Sequence, residues 1–113
     1  MVASPADIEK RIEDFVRRIE ASIRVEVIVL FGSYAKGTAN EWSDIDVAVV
    51  SPDFNGMRKW DRQELIARSS LGRAYRISPV GLSTEEYQNP DRSFVREIKR
   101  TGKIVYPRFD DER

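Results

Sequence analysis

Phe31-Gly32-Ser33-Tyr34-Ala35-Lys36-Gly37-Thr38, continuing through Trp42-Ser43-Asp44-Ile45-Asp46-Val47, is the stretch on which the reading of this chain turns. Val25 to Phe31 is β-branched and aliphatic, which predicts a strand. It stops abruptly at Gly32, where a missing Cβ lets backbone approach a ligand closely. Ser33 then opens a short helix or loop, so free backbone N–H groups and a hydroxyl face outward, an arrangement that accepts a phosphate oxygen. Asp44 and Asp46, one residue apart, stand at the start of a second apolar strand, Ile45 to Val50. Side chains alternate across a sheet, so the two carboxylates are expected on one face, roughly a few ångströms apart. Like charges held together are costly unless a cation sits between them. Magnesium suits such a place, because it takes carboxylates, waters and substrate phosphates. A phosphate cradle beside a carboxylate pair predicts metal-assisted nucleotidyl transfer.

Outward from this stretch the chain alternates. Ser4-Pro5 is a helix start, and Ile8, Ile12, Phe15, Val16, Ile19 and Ile23 recur at helical spacing, so a first helix is expected over about residues 5 to 22. Tyr34 to Trp42 reads as a short helix or loop broken by Gly37. Ser51-Pro52 and Asn55-Gly56 mark a loop, and a helix from near Arg58 to Leu71 is closed by Gly72. Tyr75 to Leu82 is a third strand. Ser83 with Glu86 makes a capping box, Asp91 is expected to cap a further helix with Phe94, Val95 and Ile98 inward, and Lys103 to Tyr106 is a small last strand. The predicted fold class is α/β or α+β, a small mixed sheet of three to four strands flanked by helices, in a single domain over residues 1–113.

Composition narrows the chemistry. Of 113 residues, 41% are hydrophobic and 34% charged, which excludes disorder. Nineteen basic residues balance nineteen acidic ones, so no global field draws the chain to nucleic acid or anionic lipid. Cysteine and histidine are both absent, which removes thiolate sites, cysteine nucleophiles and any histidine base. Any metal must be held by oxygen. With neither a membrane-length apolar run nor a signal-peptide pattern, the expected location is the cytoplasm.

Gly-Ser, ten residues, then Asp-x-Asp resembles the signature of the polymerase-β-like nucleotidyltransferase superfamily, met by Gly32, Ser33, Asp44 and Asp46. The fuller pattern is similar to the small bacterial and archaeal minimal nucleotidyltransferases, the MNT proteins. That resemblance implies a Mg2+-dependent transferase using ATP or another nucleoside triphosphate. Asp44 and Asp46 would be its catalytic and metal-binding residues, and Gly32 and Ser33 its nucleotide-binding ones. Lys36 is a further candidate for phosphate contact. The resemblance also implies a HEPN-domain protein as partner, adenylylated on a hydroxyl by an antitoxin of this type.

One departure bears on activity. The family places a third carboxylate on the third strand, where it binds metal and serves as the base for the acceptor hydroxyl. Here Ser78, followed by Pro79, fills that slot. A serine cannot act as such a base near neutral pH. Two readings therefore stand: an active transferase moving AMP to a protein hydroxyl, or a degenerate nucleotide-binding antitoxin that neutralises a HEPN-type partner by contact. A nucleic-acid adaptor is a third, opposed by the zero net charge. Ser43 is expected to support its own loop, Tyr34 and Trp42 to pack on the first helix, and the basic residues Arg58, Lys59, Arg62, Arg68, Arg73 and Arg76 to line mostly a solvated face. A homo-oligomer would use an exposed strand or the last helices.

Overall fold

A computed structural model describes residues 4–70 and 76–107. In chain order the elements are helix α1 (Pro5–Ile19), strand β1 (Val27–Phe31), helix α2 (Gly32–Lys36), strand β2 (Ile45–Ser51), a 3-10 turn (Pro52–Phe54), helix α3 (Lys59–Ser70), strand β3 (Ile77–Ser83), helices α4 (Thr84–Tyr87) and α5 (Ser93–Thr101), and strand β4 (Lys103–Tyr106). The expected ends at Gly72 and Tyr75, and Arg73, lie outside the described residues. So does the charged tail from Phe109 to Arg113.

Ser4 caps α1, its Oγ accepting the Asp7 N–H at 3.2 Å, with Pro5 in the first turn. Ile8, Ile12, Phe15, Val16 and Ile19 are all buried. At roughly 1.5–3 kcal/mol per side chain, that stripe outweighs differences in helix propensity. The helix ends at Ile19, earlier than its periodicity suggests, and Ile23 is buried in the turn that follows.

The four strands form one mixed sheet in the order β3-β2-β1-β4. β1 runs antiparallel to both neighbours, and β2 pairs parallel with β3. Alternation divides the side chains into two layers. Ile28, Leu30, Ile45, Val47, Val49 and Ile77 join α1, Phe54 and Ile66 in one core. Val29, Ala48, Val50 and Leu82 face the other way, under Val95 and Ile98 of α5. Asp46 and Phe31 share the parity of this second face.

β3 is an edge strand, which is why Pro79 is tolerated within it. Its outer backbone is covered by two side chains of α3, Gln63 and Arg62, the latter donating from Nη1 to the Gly81 carbonyl at 3.4 Å. The Gly81 N–H donates to Gln63 Oε1 at 3.1 Å, and Gln63 Nε2 donates to Pro79 O at 2.8 Å. The neighbouring Arg62 is the exception to the mostly solvated basic face, being 6% exposed, while Arg58, Lys59, Arg68 and Arg76 are exposed as expected. It donates to the Met57 carbonyl at 3.0 Å and pairs with Glu86. Glu86 also accepts the Ser83 N–H at 2.8 Å in the expected capping box and stands 3.4 Å from Arg92. A buried guanidinium is tolerated only with such pairing. Asp91 does not cap the next helix: α5 starts two residues later with Arg92 at its cap, and the Asp91 N–H is turned to Asn89 Oδ1 at 2.9 Å. Among the described residues, no helix is long and apolar enough to cross a membrane.

Candidate nucleotide and metal site

Gly32 is the hinge of the site. Its φ of 73° lies in the left-handed region, where the chain turns from β1 into α2. A Cβ there would overlap Asp46 Oδ2 and lie 3.1 Å from the Asp46 carboxyl carbon. The carboxylate is thus seated directly against the bend, as the sequence predicts. Ser33 follows in the first turn of α2, where helical N–H groups lack intrahelical acceptors. Gly37, with φ 77°, closes the helix after a single turn.

Asp46 lies in register with Phe31 on one side and Ser78 on the other, so three strands present Phe31, Asp46 and Ser78 as a row on one face. The family slot assigned to Ser78 is therefore the position beside Asp46. Burial first, and the charge of Asp44 second, push the Asp46 carboxyl above the usual carboxylate range. Asp44 stands one residue before β2 rather than inside it, and it is exposed. Its Oδ1 lies 3.9 Å from Arg76 Nη2.

The connecting loop is built from its own side chains. Asn40 N–H donates to Ser43 Oγ at 3.0 Å and Trp42 N–H to Asn40 Oδ1 at 2.8 Å, so Ser43 supports the loop as expected. This tight turn holds Trp42 off the core: it is 79% exposed, against the expectation that it packs on α1. Tyr34 does pack against the core that α1 contributes to. Lys36 ends α2 and is exposed. Its charge reaches Glu97, whose carboxyl is held low mainly by a hydrogen bond from Arg100.

Two carboxylates in mutual repulsion, one of them part-buried, are a donor set that fits one divalent oxygen-loving cation. A third ligand is missing. Among the described residues no group of three Asp, Glu, His or Cys could hold a metal ion. Glu86 cannot swing in, being engaged by Arg62, Arg92 and the Ser83 N–H.

A family model described as "Nucleotidyltransferase domain" matches residues 9–105, which spans every element from within α1 to β4. The chain belongs to this nucleotidyltransferase family. A provisionally named protein adenylyltransferase of Methanocaldococcus jannaschii is 31% identical over 102 residues, covering 87% of this chain and 97% of that protein. Among solved structures, a Sulfolobus solfataricus protein described as a nucleotidyltransferase superposes with a TM-score of 0.61 at 22% identity, over 92% of this chain and 89% of the other. A chain of a toxin–antitoxin complex solved with AMP-PNP gives a TM-score of 0.56 at 23% identity, over 92% and 77%. These likenesses show that the mixed sheet and its helices form the nucleotidyltransferase fold.

Two features of this nucleotidyltransferase domain escape a reading of its sequence. The first is a cleft of about 520 Å3 on the carboxylate face, floored by Val80, Leu82, Phe94 and Val95 and edged by Lys59 and Arg92. Val80 follows Ser78 on the same face, and the Phe94 ring meets Phe31 edge-on at 5.3 Å, so two lining residues of the cleft neighbour the row that carries Asp46. Phe94, expected to face inward with Val95 and Ile98, is instead 39% exposed, because it lies at the start of α5 and meets the core at Phe31. The second is Arg76, one of six basic residues spread through the middle of the sequence.

Proposed function

We propose that this domain is a Mg2+-dependent protein adenylyltransferase that moves AMP from ATP to a hydroxyl of a protein partner, a toxin of the HEPN type. The observation that carries the reading is the seating of the Asp46 carboxylate against Gly32, with Asp44 close enough to raise its pKa. The adenylyltransferase relative and the AMP-PNP-bound toxin–antitoxin neighbour support the donor and the kind of partner.

Asp44 and Asp46 would hold Mg2+, which when bound supplies charge neutralisation at the phosphates. The first turn of α2, through the Ser33 hydroxyl and backbone N–H groups, would orient phosphate oxygens. The adjoining cleft would receive the acceptor segment. In the transfer, the acceptor oxygen bonds to the α-phosphorus, the bond from that phosphorus to pyrophosphate breaks, and the hydroxyl proton leaves to solvent. Ser78 cannot take that proton. With labelled ATP, Mg2+ and the partner, label is expected on the partner, and Asp44→Asn is expected to reduce it at least about a hundredfold. A labelled partner in equal yield with the variant would defeat the assignment.

A second reading, a nucleotide-binding antitoxin that acts by contact alone, is favoured by the serine beside Asp46. Restoring an acid separates the two. Ser78→Asp is expected to raise transfer at least about tenfold if the missing base limits the rate. Unchanged zero transfer, with nucleotide still bound, would favour the contact reading.

A further inference from the structure

Arg76 takes a backbone conformation that side chains seldom adopt, with φ at 56°. Such a residue persists when its surroundings fix it, and such residues cluster at functional sites. Here the Arg76 carbonyl accepts the Ile45 N–H at 3.0 Å, tying it to the foot of β2 between the two aspartates. The guanidinium then lies over the loop, with Nη2 at 3.4 Å from the Trp42 carbonyl and 3.9 Å from Asp44 Oδ1. The backbone is fixed while the charged group is only loosely held. At 3.9 Å there is no hydrogen bond to the carboxylate, and both side chains are more than half exposed, 51% and 60%. A contact of that kind is surrendered easily.

Charge gives the contact a purpose. No third acid joins the pair among the described residues, so the set suits one divalent cation, whose charge the two carboxylates already match. One such ion leaves much of a triphosphate's charge unmatched, and a guanidinium is the side chain best shaped for phosphate oxygens. We propose that Arg76 is a triphosphate-binding residue that stands beside Asp44 and passes to a phosphate oxygen when nucleotide arrives. This rests on the nucleotide-binding reading above.

The same geometry makes Arg76 a competitor for cations at Asp44, so its removal acts in opposite directions on two ligands. In Arg76→Ala, Mg2+·AMP-PNP measured by calorimetry is expected to bind at least about tenfold more weakly. Mn2+ alone, followed by electron paramagnetic resonance, is expected to bind about twofold to threefold more tightly. Arg76→Lys keeps the charge and loses the fork, and should fall between wild type and Arg76→Ala for the nucleotide. A residue that merely staples the loop would move both affinities down together, or neither. Either result overturns the proposal while leaving nucleotide binding by the wild-type protein intact. Failure of wild-type protein to bind Mg2+·AMP-PNP would instead remove this inference and the proposed function together.

Discussion

Gly32→Ala is expected to keep its helices and sheet and to lose nucleotidyl transfer by at least about a hundredfold, the usual consequence of displacing reacting groups by an ångström. Two effects meet at this residue. The left-handed φ of 73° costs an alanine about 1–2 kcal/mol. The added Cβ must also displace the Asp46 carboxylate, since it would overlap Oδ2. Gly37→Ala separates them. Its φ is 77°, nearly the same, but nothing lies within 4 Å of an added Cβ. Gly37→Ala should therefore lose comparable stability in thermal melts and retain most transfer activity. Equal activity in the two variants would show that the seat against Gly32 is not what positions Asp46.

The largest expected loss of stability belongs to Glu86→Ala, at about 3–5 kcal/mol, the cost of stranding a buried charge. Arg62, 6% exposed, would keep its contact with the Met57 carbonyl but lose its counter-ion beneath β3. Against a total of roughly 5–15 kcal/mol, such a loss lowers the melting temperature by about 10 °C or more. The double variant Arg62→Met with Glu86→Leu should recover much of it, since apolar pairs of similar volume often match a buried ion pair. The pH dependence has a definite sign. Burial raises the Glu86 carboxyl, but the hydrogen bonds from Arg62 and the Ser83 N–H, with the charges of Arg62 and Arg92, outweigh it and hold the group below its usual value. Its contribution is fully present above the ordinary glutamate range and is lost as pH falls through the lowered value. Chemical denaturation should show the gap between wild type and Glu86→Ala narrowing in acid. A constant gap would mean that packing, not charge, accounts for the loss.

How much of this could be read from the chain depended on how local the cause was. The Gly32 bend, the carboxylates and the Ser83–Glu86 capping box are set by neighbours in sequence, and they are where the spacing puts them. The lack of an acid at Ser78 was legible through the family resemblance, from the proline that follows it, and parallel pairing does set Ser78 beside Asp46. The continuous apolar run from Val47 to Val50 foretold the largely buried strand that β2 forms. Arg62 was not legible. Arg58, just before α3, and Arg62 within it are arginines four residues apart, and only the return of the chain through β3 brings Glu86 to one of them, leaving Arg58 with Asp61 at 3.2 Å. Arg76 was hidden for a similar reason, since no local pattern predicts a left-handed arginine. Asp91 misled because Asn89 and Asp91 are equally good at ending a turn, and the helix waited for Ser93.

Gln63 has a consequence for how this sheet meets other chains. Its amide imitates a short stretch of neighbouring backbone, offering one acceptor to Gly81 and one donor to Pro79. A foreign strand arriving at that margin finds those bonding positions taken, and the Gly81 carbonyl is held by Arg62, so lateral growth there is blocked. The β3 margin of the sheet is therefore closed to extension, like the capped end of a filament.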